Sequence, residues 1–383
     1  MSAGNLVVDR QPVPSPSSLR GLWLALENRT AASVFLSWQW LGHWLAVYAP
    51  QAELLQVRKD GRLVGLGIVV VTEERRHGVL RSRCLRLHQT GSPRLDQIWI
   101  EYNGFLAEQG LEQQVARACL THLCEQLTDW DEFIVGAVSA DQARQFAEIS
   151  GLHSHLRWQA PCYGVDLSAL RATGQPYLDT LTGNTRYQIN RARRLYEQRG
   201  ELRLVRPDNV DEALAIFDGI GPLHLDRWGH GPDQSGYANP EFVRFHRSLI
   251  TDQWATGGVD LVSLMAGDQV IASFYNLLYR QCVYFYLGGM AREPDNRLKP
   301  GLLGHALCIE DYRHHGFRYY DFMGGDERYK SQLGSCHNQL VQVSLQRRRL
   351  KLRVEGAVRS ARNRLLTEAG RAGDVDRENG GLR

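Results

Sequence analysis

The chain has 383 residues, 43% of them hydrophobic and 23% charged, and a net charge of +3; that is long enough for two modules of ordinary domain size and apolar enough for a core in each. No run approaches the ~20 apolar residues that span a bilayer, and the amino terminus lacks a basic start followed by an apolar core, so the expectation is a soluble, cytoplasmic protein. Seven cysteines with no repeated Cys-x-x-Cys pairing fit neither a disulfide framework nor a zinc site, and no metal is expected.

Residues 1–19 contain Pro12, Pro14 and Pro16 among serines and read as a flexible leader. Within 20–165, residues 54–58 and 63–71 flank the turn Lys59-Asp60-Gly61-Arg62 and read as a hairpin. Helical periodicity follows over 111–127, then an apolar strand over 133–138. A boundary is expected near 163–166, after which 178–199 reads as the opening helix of a second unit carrying Arg186, Arg191, Arg193, Arg194 and Arg199.

That second unit, 166–346, repeats the first. Residues 261–265 and 270–279 flank the turn Ala266-Gly267-Asp268-Gln269, a helical pattern covers 302–315, and a strand covers 317–322. Two copies of one mixed α/β unit explain both the length and the spacing. Between its early helices, the Gly/Pro-rich stretch 219–236 reads as a loop presenting His224, Asp226, Arg227 and Trp228, types suited to recognising an acceptor.

The densest chemistry follows the last apolar strand: Tyr319-Tyr320-Asp321-Phe322-Met323-Gly324-Gly325-Asp326-Glu327-Arg328-Tyr329-Lys330. Lys330 stands out because the chain has only four lysines against 41 arginines, and a lysine ammonium is a compact charge that can approach an anion. Upstream, Arg297-Leu298-Lys299-Pro300-Gly301-Leu302-Leu303-Gly304 follows a strand and opens a helix, where free amides and the positive end of the macrodipole receive anions. Residues 347–383 carry a net +6 and the remainder −3, so the body is not a broadly basic nucleic-acid surface, while the tail could be a solvated closing helix or one that touches a membrane or RNA.

On these residues, roughly 166–346 resembles the GNAT acyltransferase superfamily, and within it the cellulose-biosynthesis-associated (CelD/BcsL-like) acetyltransferase branch, which is related to Fem-type transferases. The resemblance implies a mixed α/β fold of two tandem GNAT-like modules, each a mixed central sheet flanked by helices. It implies an acyltransferase moving an acyl group from acetyl-CoA, another acyl-CoA or an acyl-carrier-protein thioester to an amine or hydroxyl of a polar small molecule or sugar. The donor residues would be Arg297, Lys299, Gly301, Leu302 and Gly304, with Pro300 replacing the first glycine of the family's loop and supplying no amide. Asp326, Glu327, Tyr329 and Lys330 supply the base, acid and charge that acyl transfer needs, and His224, Asp226, Arg227, Trp228, Asp321 and Gly325 would meet the acceptor. The competing expectations are Fem-type transfer from aminoacyl-tRNA and a catalytically silent binding module.

Overall fold

In the computed structural model, residues 6–48, 51–231 and 234–359 are described. The expected hairpins form. Strands β2 (Ala52–Lys59) and β3 (Arg62–Arg76) turn at Asp60 and Gly61, both with positive φ, the backbone a tight hairpin requires. The leader differs from expectation: β1 (Leu6–Pro12) pairs antiparallel with β2, and Pro16 opens α1 (Pro16–Glu27). Proline costs nothing at the first helical position and is tolerated on an edge strand. The first half continues through α2 (Trp38–Tyr48), β4 (Leu80–Leu87), β5 (Leu106–Ala107), α3 (Glu112–Gln126), β6 (Glu132–Ser139), α4 (Ala140–Ser150) and β7 (His153–Asp166).

Three helices, α5 (Leu167–Thr173), α6 (Tyr177–Thr180) and α7 (Gly183–Glu197), lead into β8 (Leu202–Val205), so the helix expected over 178–199 is broken at 181–182, where the Thr182 side chain caps α7. The order of the first half then recurs as α8 (Val210–Trp228), α9 (Pro240–Trp254), β9 (Val259–Ala266), β10 (Gln269–Tyr279), β11 (Cys282–Met290), α10 (Pro300–His314), β12 (Tyr319–Gly324), α11 (Arg328–Leu333) and β13 (Ser335–Gln346). In each half three antiparallel strands are followed by a helix and then by a parallel strand, β4 with β6 and β11 with β12.

All these strands belong to one mixed sheet ordered β1-β2-β3-β4-β6-β13-β7-β12-β11-β10-β9-β8, with β5 on β3. At its centre the halves exchange their last strands: β7 pairs with β12, β13 pairs with β6, and β7 and β13 run antiparallel to each other. One face is covered by a single layer in which α1 and α2 share a core with α8 and α9, through Trp23, Trp40, Trp44, Phe217 and Phe245. The other face carries α3 and α4 on the first half and α5, α7 and α10 on the second. A short helix over 350–359 follows β13.

Candidate active site

Strands β11 and β12 pair only from Cys282–Tyr284 to Tyr319–Asp321. Beyond Tyr284 they separate, and a cleft of about 730 Å³ opens between them. The released edge of β11 leaves backbone N–H and C=O groups for an extended ligand. Phe285, Leu287, Met290, Leu298 and Leu302 give the cleft apolar walls, and it ends on the first turn of α10. Pro300 occupies the first helical position, and the first hydrogen bond of the helix runs from Leu303 N to Lys299 O at 3.0 Å. The amides of Gly301 and Leu302 precede that bond, so they remain available to an anion. A Cβ on Gly301 would meet nothing nearer than Met290 Sδ at 3.5 Å, so the space above this turn is open.

Of the expected donor residues, Lys299, Gly301 and Leu302 line the cleft, and two do not. Arg297 turns away to pair with Asp295 at 2.7 Å. Gly304 faces the sheet: a Cβ there would lie 2.4 Å from Phe274 Cζ, so this glycine serves close helix–strand packing.

At the end of β12 the chain bulges, with Met323 at φ 61° and Gly325 at φ 145°. Glu327, Tyr329 and Lys330 are brought into the cleft, whereas Asp326 is exposed outside it. The buried Lys330 ammonium donates to Gly324 O at 2.7 Å and pairs with Glu327 Oε2 at 3.2 Å. Any side chain at Gly325 would collide with that pair, since its Cβ would lie 2.5 Å from Lys330 Nζ. Tyr329 stacks on His305 with rings 5.3 Å apart. Burial, then the Glu327 charge, push its phenol pKa up, so it stays protonated. His305 is driven down to about 3 by burial and by the Lys330 and Arg227 charges, and is neutral.

Of the stretch expected as a recognition loop, 219–228 is helical. His224, Asp226, Arg227 and Trp228 occupy the last turns of α8, with Pro222 inside the helix. Packing accounts for two glycines here: Gly221 of α8 lies under the Tyr237 ring, and Gly289 of β11 lets α8 cross so closely that a Cβ there would be 3.1 Å from Ile220 Cα. His224, Arg227 and Trp228 line the cleft, and Asp226 points elsewhere. His224 Nδ1 is 2.8 Å from Ser235 Oγ, and burial lowers its pKa to about 4. Arg227 lies over the Trp228 ring at 4.9 Å.

Asp321 belongs to a different cavity. It is buried, accepts from Tyr102 Oη and from Met323 N, each at 2.7 Å, and lines a second hollow of about 800 Å³ with Tyr279, Tyr284 and Tyr319.

The residue that sequence reasoning missed comes from the first half. Between β4 and β5, residues 88–105 form a long connection. Phe105 packs against Phe133 and Phe146 of that half. The same connection sends Trp99 and Glu101 into the second half's cleft. Glu101 Oε2 accepts from Gly324 N at 2.9 Å, so Glu101 and Lys330 grip the two sides of one glycine. Burial raises the Glu101 carboxyl to about 7, against the hydrogen bond from Gly324 and the Lys330 charge. Two non-glycine residues with positive φ, Trp99 (47°) and Tyr102 (48°), flank it, a strained backbone of the kind held at functional sites. The bend is secured from outside: Asn239 at the start of α9 bonds Arg94 O and Gln97, and Tyr286 donates to Ile98 O. The signal available in the sequence was a lone acid in the aromatic run Trp99-Ile100-Glu101-Tyr102.

Residues 183–331 match the model of the acetyltransferase (GNAT) domain family. Among solved structures, FemX is similar at 10% identity over 87% of this chain and 96% of its own, with a TM-score of 0.55. A conserved protein from Bacteroides thetaiotaomicron is similar at 13% identity over 89% of this chain and all of its own, with a TM-score of 0.52. A tandem GNAT protein from the clavulanic acid biosynthesis pathway aligns at 13% identity over 89% and 98% of the two chains, with a TM-score of 0.49. No curated protein sequence matches the chain. At these identities the first two likenesses speak for the fold alone, a mixed α/β architecture shared over nearly nine-tenths of this chain.

Proposed function

We propose that this chain transfers an acyl group from a thioester, either acyl-CoA or an acyl carrier protein, to an amine or hydroxyl of a polar small molecule or sugar. The observation that carries the reading is the gap between β11 and β12, which runs from two free amides at the start of α10 to a buried carboxyl near neutrality. The amides and Lys299 would take the donor's phosphates, and the released edge of β11 its extended arm. Glu101 would accept the proton that the acceptor's nitrogen or oxygen loses as the new bond to the acyl carbon forms and the carbon–sulfur bond breaks. A carboxyl poised near the working pH suits that task. Tyr329, kept protonated, would return a proton to the leaving thiolate. Lys330 and Glu327 would hold Gly324, and with it Glu101, in place. Arg227 and Trp228 at the mouth offer a cation and an aromatic platform to a polar acceptor such as a sugar, the substrate type suggested by the cellulose-associated resemblance.

The test is turnover by the purified chain with acetyl and longer acyl-CoA and acyl-carrier thioesters, against panels of amine and sugar acceptors, read by mass spectrometry. Thiol release coupled to an acylated product is expected. One feature favours a second reading, transfer from aminoacyl-tRNA: α7 presents Arg186, Tyr187, Asn190, Arg193 and Arg194 along one shallow hollow. Charged-tRNA binding that falls steeply with salt, together with no turnover of any thioester, would replace the first reading by the second.

A further inference from the structure

The helix over 350–359 divides into two faces. Leu352 and Glu355 are buried against the body, with Glu355 receiving Arg76 and Arg359, and Lys351 tied to Asp131 at 2.6 Å. Just before it, Arg347 donates to the carbonyls of Leu123, Cys124 and Leu127 at the end of α3 and lies 4.2 Å from the Trp130 ring. The helix is therefore anchored, and its outward face has a fixed direction.

That face is apolar. Leu350, Val354 and Val358 are 75%, 55% and 64% exposed. Their four-residue steps place them in one stripe of about a quarter of the helix circumference. Lys351 borders the stripe on one side and Arg353 on the other. Arg348 and Arg353 have no ion pair among the described residues. The amino-acid sequence beyond keeps the spacing: Ala361 and Leu365 stand three and then four residues on from Val358, with Arg362 and Arg364 between them. Scattered exposed aliphatics need no explanation, but three in register on a docked helix, bordered by cations, do.

We propose that this face lies on an anionic lipid surface, with the aliphatic side chains entering the headgroup boundary and the arginines meeting lipid phosphates. The charge pattern selects this occupant. A basic helix with a narrow apolar stripe binds in the plane of an interface, and long basic side chains flanking apolar ones extend naturally to a headgroup layer. A second copy of the chain would instead bring the same arginines against each other. No helix among the described residues is long and apolar enough to cross a membrane, so the contact would be peripheral. The proposal is independent of the reaction assigned above.

The test is sedimentation of the full chain with vesicles of phosphatidylcholine alone or with roughly one-third phosphatidylglycerol. Binding only to the anionic vesicles is expected, weakened by added salt. The triple variant Leu350→Glu, Val354→Glu and Val358→Glu should lose it, and Val354→Glu alone should weaken it. Arg348→Gln and Arg353→Gln should each lower the partition coefficient about fivefold. These positions are exposed, so the melting transition should not move. Absence of binding to anionic vesicles at low ionic strength overturns the proposal. So does binding that the triple variant retains, or a lipid-free dimer that the triple variant dissolves.

Discussion

At the scale of single residues, Glu101 separates a catalytic reading of the cleft from a structural one. Its carboxyl is held at about 7 by burial, well above the usual 4.3 or so of a glutamate. Between those two values the folded chain binds a proton that the unfolded chain does not. Glu101 therefore costs the fold stability as pH rises from the unfolded value towards 7, and the cost is full above 7. A base is competent only when ionised, so kcat/KM should rise through a midpoint near pH 7. Glu101→Gln should lower turnover by roughly 100-fold to 10,000-fold and flatten that rise, while raising the melting temperature at pH 8 and leaving it nearly unchanged at pH 4. A variant that keeps the wild-type pH profile would remove Glu101 from the chemistry. The sequence could not single this residue out, because the connection from 88 to 105 is much longer than residues 291–299, which stand between β11 and α10 in the second half, and so has no repeat to be read against residue by residue. Asp326, an equally good carboxylate on paper, points into solvent because the bulge at Met323 and Gly325 turns alternate residues of that segment outward.

At the scale of elements, α10 shows two glycines with opposite uses. Gly301 fronts the cleft with room for a side chain, and Gly304 touches Phe274 with none. Gly301→Val should therefore weaken donor binding at least about tenfold, the loss expected when one of two anion-binding amides is screened, with the melting transition retained. Gly304→Ala should lower stability by about 1–3 kcal/mol through overpacking, with donor affinity retained at temperatures where the chain is folded. Calorimetric titration and thermal melting check both, and an exchanged pattern would reverse the assignment. The start of α10 was legible because Pro-Gly after a strand is local chemistry. So were both hairpins, whose Asp60-Gly61 and Gly267 turns need positive φ. The end of α8 was not legible. Gly219, Gly221 and Pro222 carry the composition of a loop, yet Gly221 makes room for the Tyr237 ring and Gly289 lets α8 cross β11, contacts that exist only in the folded molecule.

At the scale of the whole molecule, the exchange of β7 and β13 couples the halves more tightly than a linear repeat suggests. The repeat itself could be read from the spacing of its hairpins, but the exchange is invisible there, since either closing strand would satisfy either half by pattern alone. The hydrogen-bonded neighbours of β7 are β12 and β13, both from the second half. Glu132, fully buried at the start of β6, accepts from Arg76 and Ser82 of its own half and from Ser344 and Gln346 of β13. Burial pushes its pKa up, but these bonds outweigh burial and bring it down to about 2; without β13 the carboxylate would lose two of its donors at a buried position, a costly state. The core joining α1 and α2 to α8 and α9 would also be opened. A chain divided between Asp166 and Leu167 should therefore yield two fragments that lack a cooperative transition when separate and recover one when refolded together. The intact chain should melt in a single calorimetric step. Separate transitions in the intact chain, or a cooperative transition in the isolated fragment from Leu167 onward, would show that the exchanged strands are dispensable. Glu101 should then be replaceable without loss of turnover, because its place in the cleft depends on the first half being held against the second.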